Sequence, residues 1–290
     1  MTRTILVCLA VAVLAGCDAA SNGTKLRVVA STNVYADVAR QIGGTHVEVT
    51  SVLSDPNADP HLFEPGTANG LAVARARVVI ENGLGYDSFM TRLTRAAPST
   101  DREVVDIAGA LGLHGDAVNP HLWYDLPRLG QIARAIAGGL SRADPAHRVA
   151  YNAGAQAFRA SLRPLLRRLA ALRASFRGTP VAYTEPVPGY LIDAAGLKNL
   201  APSSFTRPIQ QGSEPSASAV STMIALAAGH RIKVLLYNAQ AVSPITTRVR
   251  ESAAGAGVAV VGVTETLPPG DTFQQWQARQ LAELRQALAA

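Results

Sequence analysis

The sequence has almost no cysteine. Its two cysteines, Cys8 and Cys17, lie near the N terminus, and no other follows. A chain of 290 residues can bury a large apolar core, so it does not need disulfides for stability. The lack of thiols also excludes every zinc site built on cysteine ligands. A metal held by the rest of this chain must therefore be bound by histidine and carboxylate side chains.

Other familiar patterns are missing as well. Aromatic residues make up 5% of the chain and do not alternate with basic residues, which argues against a nucleic-acid-binding face. The sequence contains no His-Glu-x-x-His, the helical zinc motif of many metalloproteases. The segment Gly83-Leu84-Gly85 lacks the third glycine of a dinucleotide-binding fingerprint. After the N-terminal segment, no apolar run is long enough to cross a bilayer.

Residues 1–17 have the pattern of an export signal. Arg3 is followed by an apolar run that extends to Leu14 and by small residues, and this run is too short to span a bilayer as a stable helix. The sequence Leu-Ala-Gly-Cys ending at Cys17 resembles the lipobox of bacterial lipoproteins, which implies cleavage before Cys17 and a lipid on its sulfur. The alternative is an ordinary secretory signal with a chance cysteine. Residues 18–25 predict a flexible tether.

Two parts of the chain alternate apolar runs with segments of helical spacing. In residues 26–144 the apolar runs fall at 26–31, 47–52, 78–80 and 103–106. In residues 178–290 they fall at 180–184, 232–237 and 258–263. This alternation predicts an α/β fold with two similar lobes, each with a parallel sheet flanked by helices. Ligands of open α/β sheets bind beyond the carboxyl ends of the strands, so the predicted site lies in the cleft between the lobes.

Residues 145–177 join the two predicted lobes and contain no strand signal. Their apolar residues recur at helical spacing, which predicts one helix of about thirty residues, kinked at Pro164. At about 1.5 Å per residue this helix extends roughly 45 Å, enough to run along both lobes. Arginines are interspersed along it. We interpret them as a solvated face; the alternative is a docking surface for anionic partners or lipid headgroups.

Two histidines directly follow a proline. His61 follows Pro60 and His121 follows Pro120, and each stands two residues before an aromatic residue. Proline fixes its own φ and has no N–H. Each histidine therefore follows a rigid backbone segment, which suits a side chain that must point in one direction. Because imidazole is a common transition-metal ligand, the pair indicates a metal site closed by distant parts of the chain. The alternative is two loops with incidental histidines.

Two carboxylates complete a plausible ligand set. Glu185 follows the first predicted strand of the second lobe, and Glu265 follows the last. With the two histidines they form a set of two histidines and two glutamates, in which the carboxylates neutralise a divalent cation and lower the cost of burying it. Asp271 is the alternative to Glu265 as fourth ligand. Glu64 is a candidate partner that orients His61, although a plain salt bridge would explain it equally well.

Four motifs together resemble those of the zinc/manganese-binding lipoproteins of bacterial ABC uptake transporters. They are Asp-Pro-His-Leu-Phe-Glu-Pro at 59–65, Asn-Pro-His-Leu-Trp at 119–123, Thr-Glu-Pro-Val-Pro-Gly-Tyr at 184–190 and Thr-Glu-Thr-Leu at 264–267. The resemblance extends over essentially the whole mature chain. It implies two lobes joined by a rigid helix, with one divalent transition metal ion between them held by His61, His121, Glu185 and Glu265.

The chain also departs from that family's pattern. Glu185 stands where the zinc-binding members typically have histidine, and Glu265 stands where aspartate is usual. The His- and Asp-rich loop of many zinc-binding members is absent as well. These departures leave both Zn²⁺ and Mn²⁺ open as the cargo.

The resemblance implies a binding protein outside the cytoplasm. We expect the chain to capture one divalent ion and deliver it to an ABC permease and its ATPase, as a monomeric lipoprotein anchored to a membrane through Cys17. We expect neither enzymatic activity nor nucleic-acid binding. One alternative is a metal-dependent hydrolase that uses Asp271 or Glu64 as general base. Another is a binder of chelated iron or cobalamin, which would leave the four predicted ligands unexplained as a set.

Overall fold

The computed structural model describes residues 24–56 and 58–290, with the side chain of His61 left outside the description. The predicted signal peptide, the predicted lipidation at Cys17 and most of the predicted tether fall outside the described residues. Within the described part of the chain, no helix is both long and apolar enough to cross a membrane.

The first lobe is a four-stranded parallel sheet flanked by helices. Its strands are β1 (Leu26–Thr32), β2 (Val47–Leu53), β3 (Val78–Glu81) and β4 (Glu103–Asp106), in the order β2-β1-β3-β4. Its helices are α1 (Asn33–Gly43), α2 (Thr67–Arg75), α3 (Ser88–Ala96), α4 (Ile107–Ala110) and α5 (Leu129–Ala143). The central strand β1 is almost entirely buried, as expected for a parallel sheet covered on both faces.

The predicted linking helix is present as two helices with a bend between them. They are α6 (Arg148–Ser161) and α7 (Arg163–Phe176), and Leu162 separates them. The bend lies at Leu162, just before Pro164, where the kink was predicted. It comes before the proline because proline fits the first turn of a helix but not its interior. Helix α6 packs against α1 and α5 of the first lobe, whereas α7 packs against the last helix of the chain.

The second lobe repeats the topology of the first. Its strands are β5 (Pro180–Tyr183), β6 (Lys198–Asn199), β7 (Val234–Asn238) and β8 (Ala259–Val263), in the order β6-β5-β7-β8. Its helices are α8 (Gly189–Ala194), α9 (Ser203–Gln210), α10 (Ala217–Ala228), α11 (Pro244–Gly255) and α12 (Phe273–Ala289). Both sheets are parallel throughout, so the prediction of two similar α/β lobes is confirmed.

The chain's end returns to the first helix and ties the lobes together. The Asn33 side chain donates to the Leu267 carbonyl and accepts from the Leu267 N–H, both at 2.8 Å. The Asp37 carboxylate accepts from the Phe273 N–H at 2.9 Å. One large apolar cluster includes buried residues of both lobes and of α6, α7 and α12. The two lobes therefore share a core as well as a cleft.

A 3-10 turn at Leu126–Arg128 leads into α5, which begins at Leu129. Asp125 directly precedes this turn, and its carboxylate pairs with the Arg128 side chain at 3.2 Å. Pro127 fits the turn because the first turn of a helix does not need its N–H.

Helix α6 approaches α1 closely at a glycine. A Cβ at Gly154 would lie 2.2 Å from the carbonyl oxygen of Ile42, so only glycine fits without a backbone shift. We predict that Gly154→Ala lowers the free energy of unfolding by about 1–3 kcal/mol, even though alanine is by itself the better helix former. Urea denaturation provides the measurement.

The control is Gly255→Ala, because Gly255 lies in α11 with open space around its Cα. This variant should be as stable as the wild type or slightly more stable. Equal stability of the Gly154→Ala variant and the control would show that α6 and α1 can move apart freely.

Candidate metal centre

Three of the four predicted ligand residues meet between the lobes. His121 follows Pro120 in the loop between α4 and α5, and it begins a 3-10 turn at Leu122–Tyr124. Glu185 lies two residues beyond β5, and Glu265 lies two residues beyond β8. All three side chains are fully buried. The carboxyl ends of the second lobe's strands thus face the histidine corner of the first lobe.

The donor atoms are spaced for a single ion. The Nε2 atom of His121 lies 3.3 Å from Oε2 of Glu265 and 3.8 Å from Oε1 of Glu185. The ligand atoms of the three residues all lie within 4.8 Å of one another. Donors bound to one tetrahedral ion at about 2.1 Å are about 3.4 Å apart. One nitrogen and two carboxylate donors are a ligand set suited to zinc and also compatible with manganese.

Asn119 fixes the direction of the His121 ring. The Asn119 Oδ1 atom accepts from the backbone N–H of His121 at 3.1 Å and lies 2.7 Å from Nδ1 of the same residue. Its Nδ2 donates to the Pro186 carbonyl at 2.7 Å, so the orientation of the amide is determined by its partners. An amide oxygen can only accept, so Nδ1 carries the proton and Nε2 presents its lone pair to the carboxylates.

The Pro120 corner is held from the first lobe by Asn82. The Asn82 Nδ2 donates to the Pro120 carbonyl at 2.9 Å, and the Tyr35 hydroxyl donates to Asn82 Oδ1 at 2.5 Å. The backbone N–H of Asn82 in turn donates to the Asp87 carboxylate. Burial raises the pKa of Asp87 and hydrogen bonds to its carboxylate oppose that rise. A chain of buried hydrogen bonds from the first lobe therefore positions His121.

One amide supports both carboxylates. The Nδ2 atom of Asn238, at the end of β7, donates to Glu185 Oε2 at 2.6 Å and to Glu265 Oε1 at 2.8 Å. The other oxygen of each carboxylate is the one nearest to Nε2 of His121. Asn238 therefore fixes the rotation of both carboxylates and turns one oxygen of each toward the histidine.

Gln240 connects this group to the loop that precedes His61. Its Oε1 accepts from the backbone N–H of Glu265 at 2.6 Å and from that of Thr266 at 3.1 Å. Its Nε2 donates to the carbonyls of Pro56 at 3.1 Å and Ala58 at 3.3 Å. A single side chain of the second lobe thus anchors both a predicted ligand and a first-lobe loop.

Aromatic rings close the centre on the side of the first lobe. The Tyr86 and Trp123 rings pack edge-on against His121, with ring centroids 5.8 and 5.5 Å away. Burial and the negative charge of Glu265 raise the pKa of the Tyr86 phenol above its ordinary value, so it stays protonated. Such walls keep water away and strengthen every charge interaction inside the centre.

The remaining sequence candidates have different surroundings. The backbone of His61 lies in a 3-10 turn at Pro60–Leu62, and its role as a ligand stays a prediction. Asp271 forms an ion pair with Arg279 and does not belong to the donor group. Glu64 is exposed, so its interpretation as a partner of His61 also stays a prediction.

Sequence reasoning missed the residues that orient the ligands. Asn238 is the last residue of β7. The search for polar residues at the carboxyl ends of strands, which identified Glu185 after β5, could therefore also have identified Asn238. Asn119 lies inside the Asn-Pro-His motif itself. No local signal marks Gln240, because its role depends on contacts with two separate segments.

The comparisons with known proteins agree with this architecture. The chain belongs to the family described as "Zinc-uptake complex component A periplasmic", which it matches over residues 28–287. It is 24% identical over 259 residues to a putative metal-binding protein of Treponema pallidum, covering 83% of this chain and 80% of that protein.

Other relatives match over a shorter length. The manganese-binding lipoprotein MntA of Bacillus subtilis is 29% identical over 163 residues, which is 52% of this chain and 53% of that protein. The chain therefore aligns with about half the length of this relative.

Two solved structures have the same fold. The periplasmic zinc-binding protein TroA of Treponema pallidum has a TM-score of 0.79 at 18% identity, with 92% of this chain and 100% of that chain covered. A crystal structure of ZnuA has a TM-score of 0.75 at 22% identity, with 92% and 99% covered.

The amide of Asn238 should be important for the stability of the metal-free protein. We predict that Asn238→Leu lowers the free energy of unfolding, measured without metal, by about 2–4 kcal/mol, because two buried carboxylates lose a charge-assisted hydrogen bond. Asn152→Leu, at an exposed position of α6, is the control and should change stability little. Equal losses in the two variants would contradict the assigned role.

Proposed function

We propose that this chain is the extracytoplasmic substrate-binding protein of an ABC transporter and that its cargo is one divalent transition metal ion, zinc or manganese. The proposed ligands are His61, His121, Glu185 and Glu265. The observation that carries the proposal is the buried group of one histidine and two glutamates at the junction of the lobes. The names of the relatives, which include manganese-binding and metal ABC transporter lipoproteins, support it.

The charge of the group favours a cation as the bound species. Glu185 and Glu265 lie side by side without exposure to water, and their ionised forms repel each other in a medium of low dielectric constant. Asn238 donates to both carboxylates, Gln240 accepts from the backbone N–H of Glu265, and these neutral amides contribute no compensating charge. A divalent ion would neutralise both carboxylates while the Nε2 lone pair of His121 supplied a third bond.

The burial of Glu185 and Glu265 favours a transport protein over a hydrolase. A catalytic metal site keeps an open coordination position for water beside a general base. Here Asn119 fixes His121 and Asn238 fixes both glutamates, and Asp271, one proposed base, pairs with Arg279 of α12. With His61 as fourth ligand the coordination shell would be complete, as suits a protein that carries its ion unchanged.

The first prediction of the proposal concerns stoichiometry and ligands. We expect one zinc or manganese ion per chain, and we expect zinc to bind more tightly in vitro, since affinities of nitrogen and oxygen sites favour it. His61→Ala, His121→Ala and Glu185→Gln should each weaken binding by about 100-fold or more, or about 2.7 kcal/mol. Calorimetric titration against a competing chelator gives the affinities, and elemental analysis gives the number of ions per chain.

His114→Ala and Glu251→Gln serve as controls, because both residues are exposed and neither is a proposed ligand or a partner of one. They should keep the affinity of the wild type. If the double variant His61→Ala/His121→Ala also kept that affinity, the ligand assignment would be wrong.

We also propose that the mature protein is a monomer tethered to a membrane by a lipid on Cys17, where it meets the permease and its ATPase. Cells grown with labelled fatty acid should incorporate the label into the wild type and into Cys8→Ala, but not into Cys17→Ala, because a thiol at Cys17 is required for acylation. Label that persisted on Cys17→Ala would rule out this anchor.

A further inference from the structure

A basic cleft lies at the bend of the linking helices. It has a volume of about 520 Å³ and is bounded by the start of α5, the end of α6 and the start of α7. Arg134, Arg159 and Arg163 line it together with Gln131 and Gln156, and Leu162 lies at its base. It shares no residue with the metal centre. The polar lining thus presents only positively charged and amide side chains.

The three arginines lack acidic neighbours. No aspartate or glutamate lines the cleft, and residues 145–178 contain seven arginines without a single acidic residue. Among the described residues, none of the three forms an ion pair. Arg128, just before α5, and Arg142, in its last turn, are by contrast paired with Asp125 and Glu103. The positive charge of the cleft is therefore uncompensated within the described chain.

The clustering of arginines in and beside the cleft is unfavourable for the stability of the folded protein. Arg159, Arg163 and Arg167 follow one another at four-residue spacing along α6 and α7, and like charges at that spacing destabilise helices. A cleft lined by charges of one sign also concentrates the electric field and attracts counter-ions. A ligand with negative charge would remove the repulsion.

The side chain of Arg159 passes close to Gly130 of α5. A Cβ at Gly130 would be 3.2 Å from the Arg159 Nε, so the glycine leaves room for the guanidinium stem to lie along α5. Arg159 is exposed, and its guanidinium group is therefore open to a ligand in the cleft.

We propose that this cleft binds a phosphate group. Guanidinium groups match phosphate through paired N–H donors, and the amides of Gln131 and Gln156 add further donors. The volume suits a small organic phosphate or the headgroup of an anionic lipid. The recognition chemistry is the same in both cases, and the proposal does not depend on the metal centre.

Two binding measurements distinguish the sources. In the first, inorganic pyrophosphate and glycerol 3-phosphate are titrated into the full chain at low ionic strength by calorimetry. In the second, the protein is sedimented with vesicles of phosphatidylcholine that contain or lack phosphatidylglycerol. The cleft variant is Arg134→Gln/Arg159→Gln/Arg163→Gln. The control Arg148→Gln/Arg177→Gln/Arg285→Gln removes the same charge at exposed positions outside the cleft.

We expect the cleft variant to lose at least about tenfold in affinity, about 1.4 kcal/mol, and the control to lose less than threefold. All variants share one N terminus, so a membrane anchor contributes equally to each. Unchanged far-ultraviolet circular dichroism spectra and cooperative unfolding in urea would show that the variants fold. Saturable binding of soluble phosphates supports a free ligand, and binding confined to phosphatidylglycerol vesicles supports a lipid headgroup. No binding in either assay, or equal losses in both variants, would overturn the proposal.

Discussion

The structure depends on the burial of two carboxylates side by side. Glu185 and Glu265 enter the junction of the lobes from two strand ends, and both accept a hydrogen bond from the amide of Asn238. Burying an ionised carboxylate is unfavourable by several kcal/mol unless it is paired. The amides around them make that burial possible, and under the proposed function the charge of the two carboxylates attracts the cargo.

Three neutral amide side chains with fixed directions orient the predicted ligands. Asn119 sets the ring of His121, Asn238 sets both glutamates, and Gln240 holds the backbone beyond Glu265. A buried arginine or lysine at any of these positions would pair with the carboxylates and compete with a metal ion. Amides orient the ligands without satisfying their charge, so geometry and affinity are determined by separate groups.

The sequence predicted the repeated alternation and three of the clustered site residues, because both follow from local patterns. Apolar runs mark buried strands, and polar residues directly after them mark the ligand edge of the sheet. The sequence patterns did not predict β6, which is only two residues long, or α9, which contains Pro208 in its interior. Both form because tertiary contacts override weak local preferences.

The supporting amides were harder to find for a related reason. The contacts of Gln240 join positions more than 180 residues apart along the chain. Such partners are defined only once the lobes have come together, so no window of sequence contains the information.

The return of the chain's end to α1 has a consequence for the order of folding. The side chain of Asn33 bonds to Leu267, 234 positions later, and Asp37 bonds to Phe273 just beyond it. During synthesis or export the first lobe emerges long before these partners exist. Loops of this span close late, since contacts distant in sequence form slowly. The polar side chains of Asn33 and Asp37 therefore stay without these partners until α12 and the loop before it have been made, and the contact that joins α1 to the second lobe forms last.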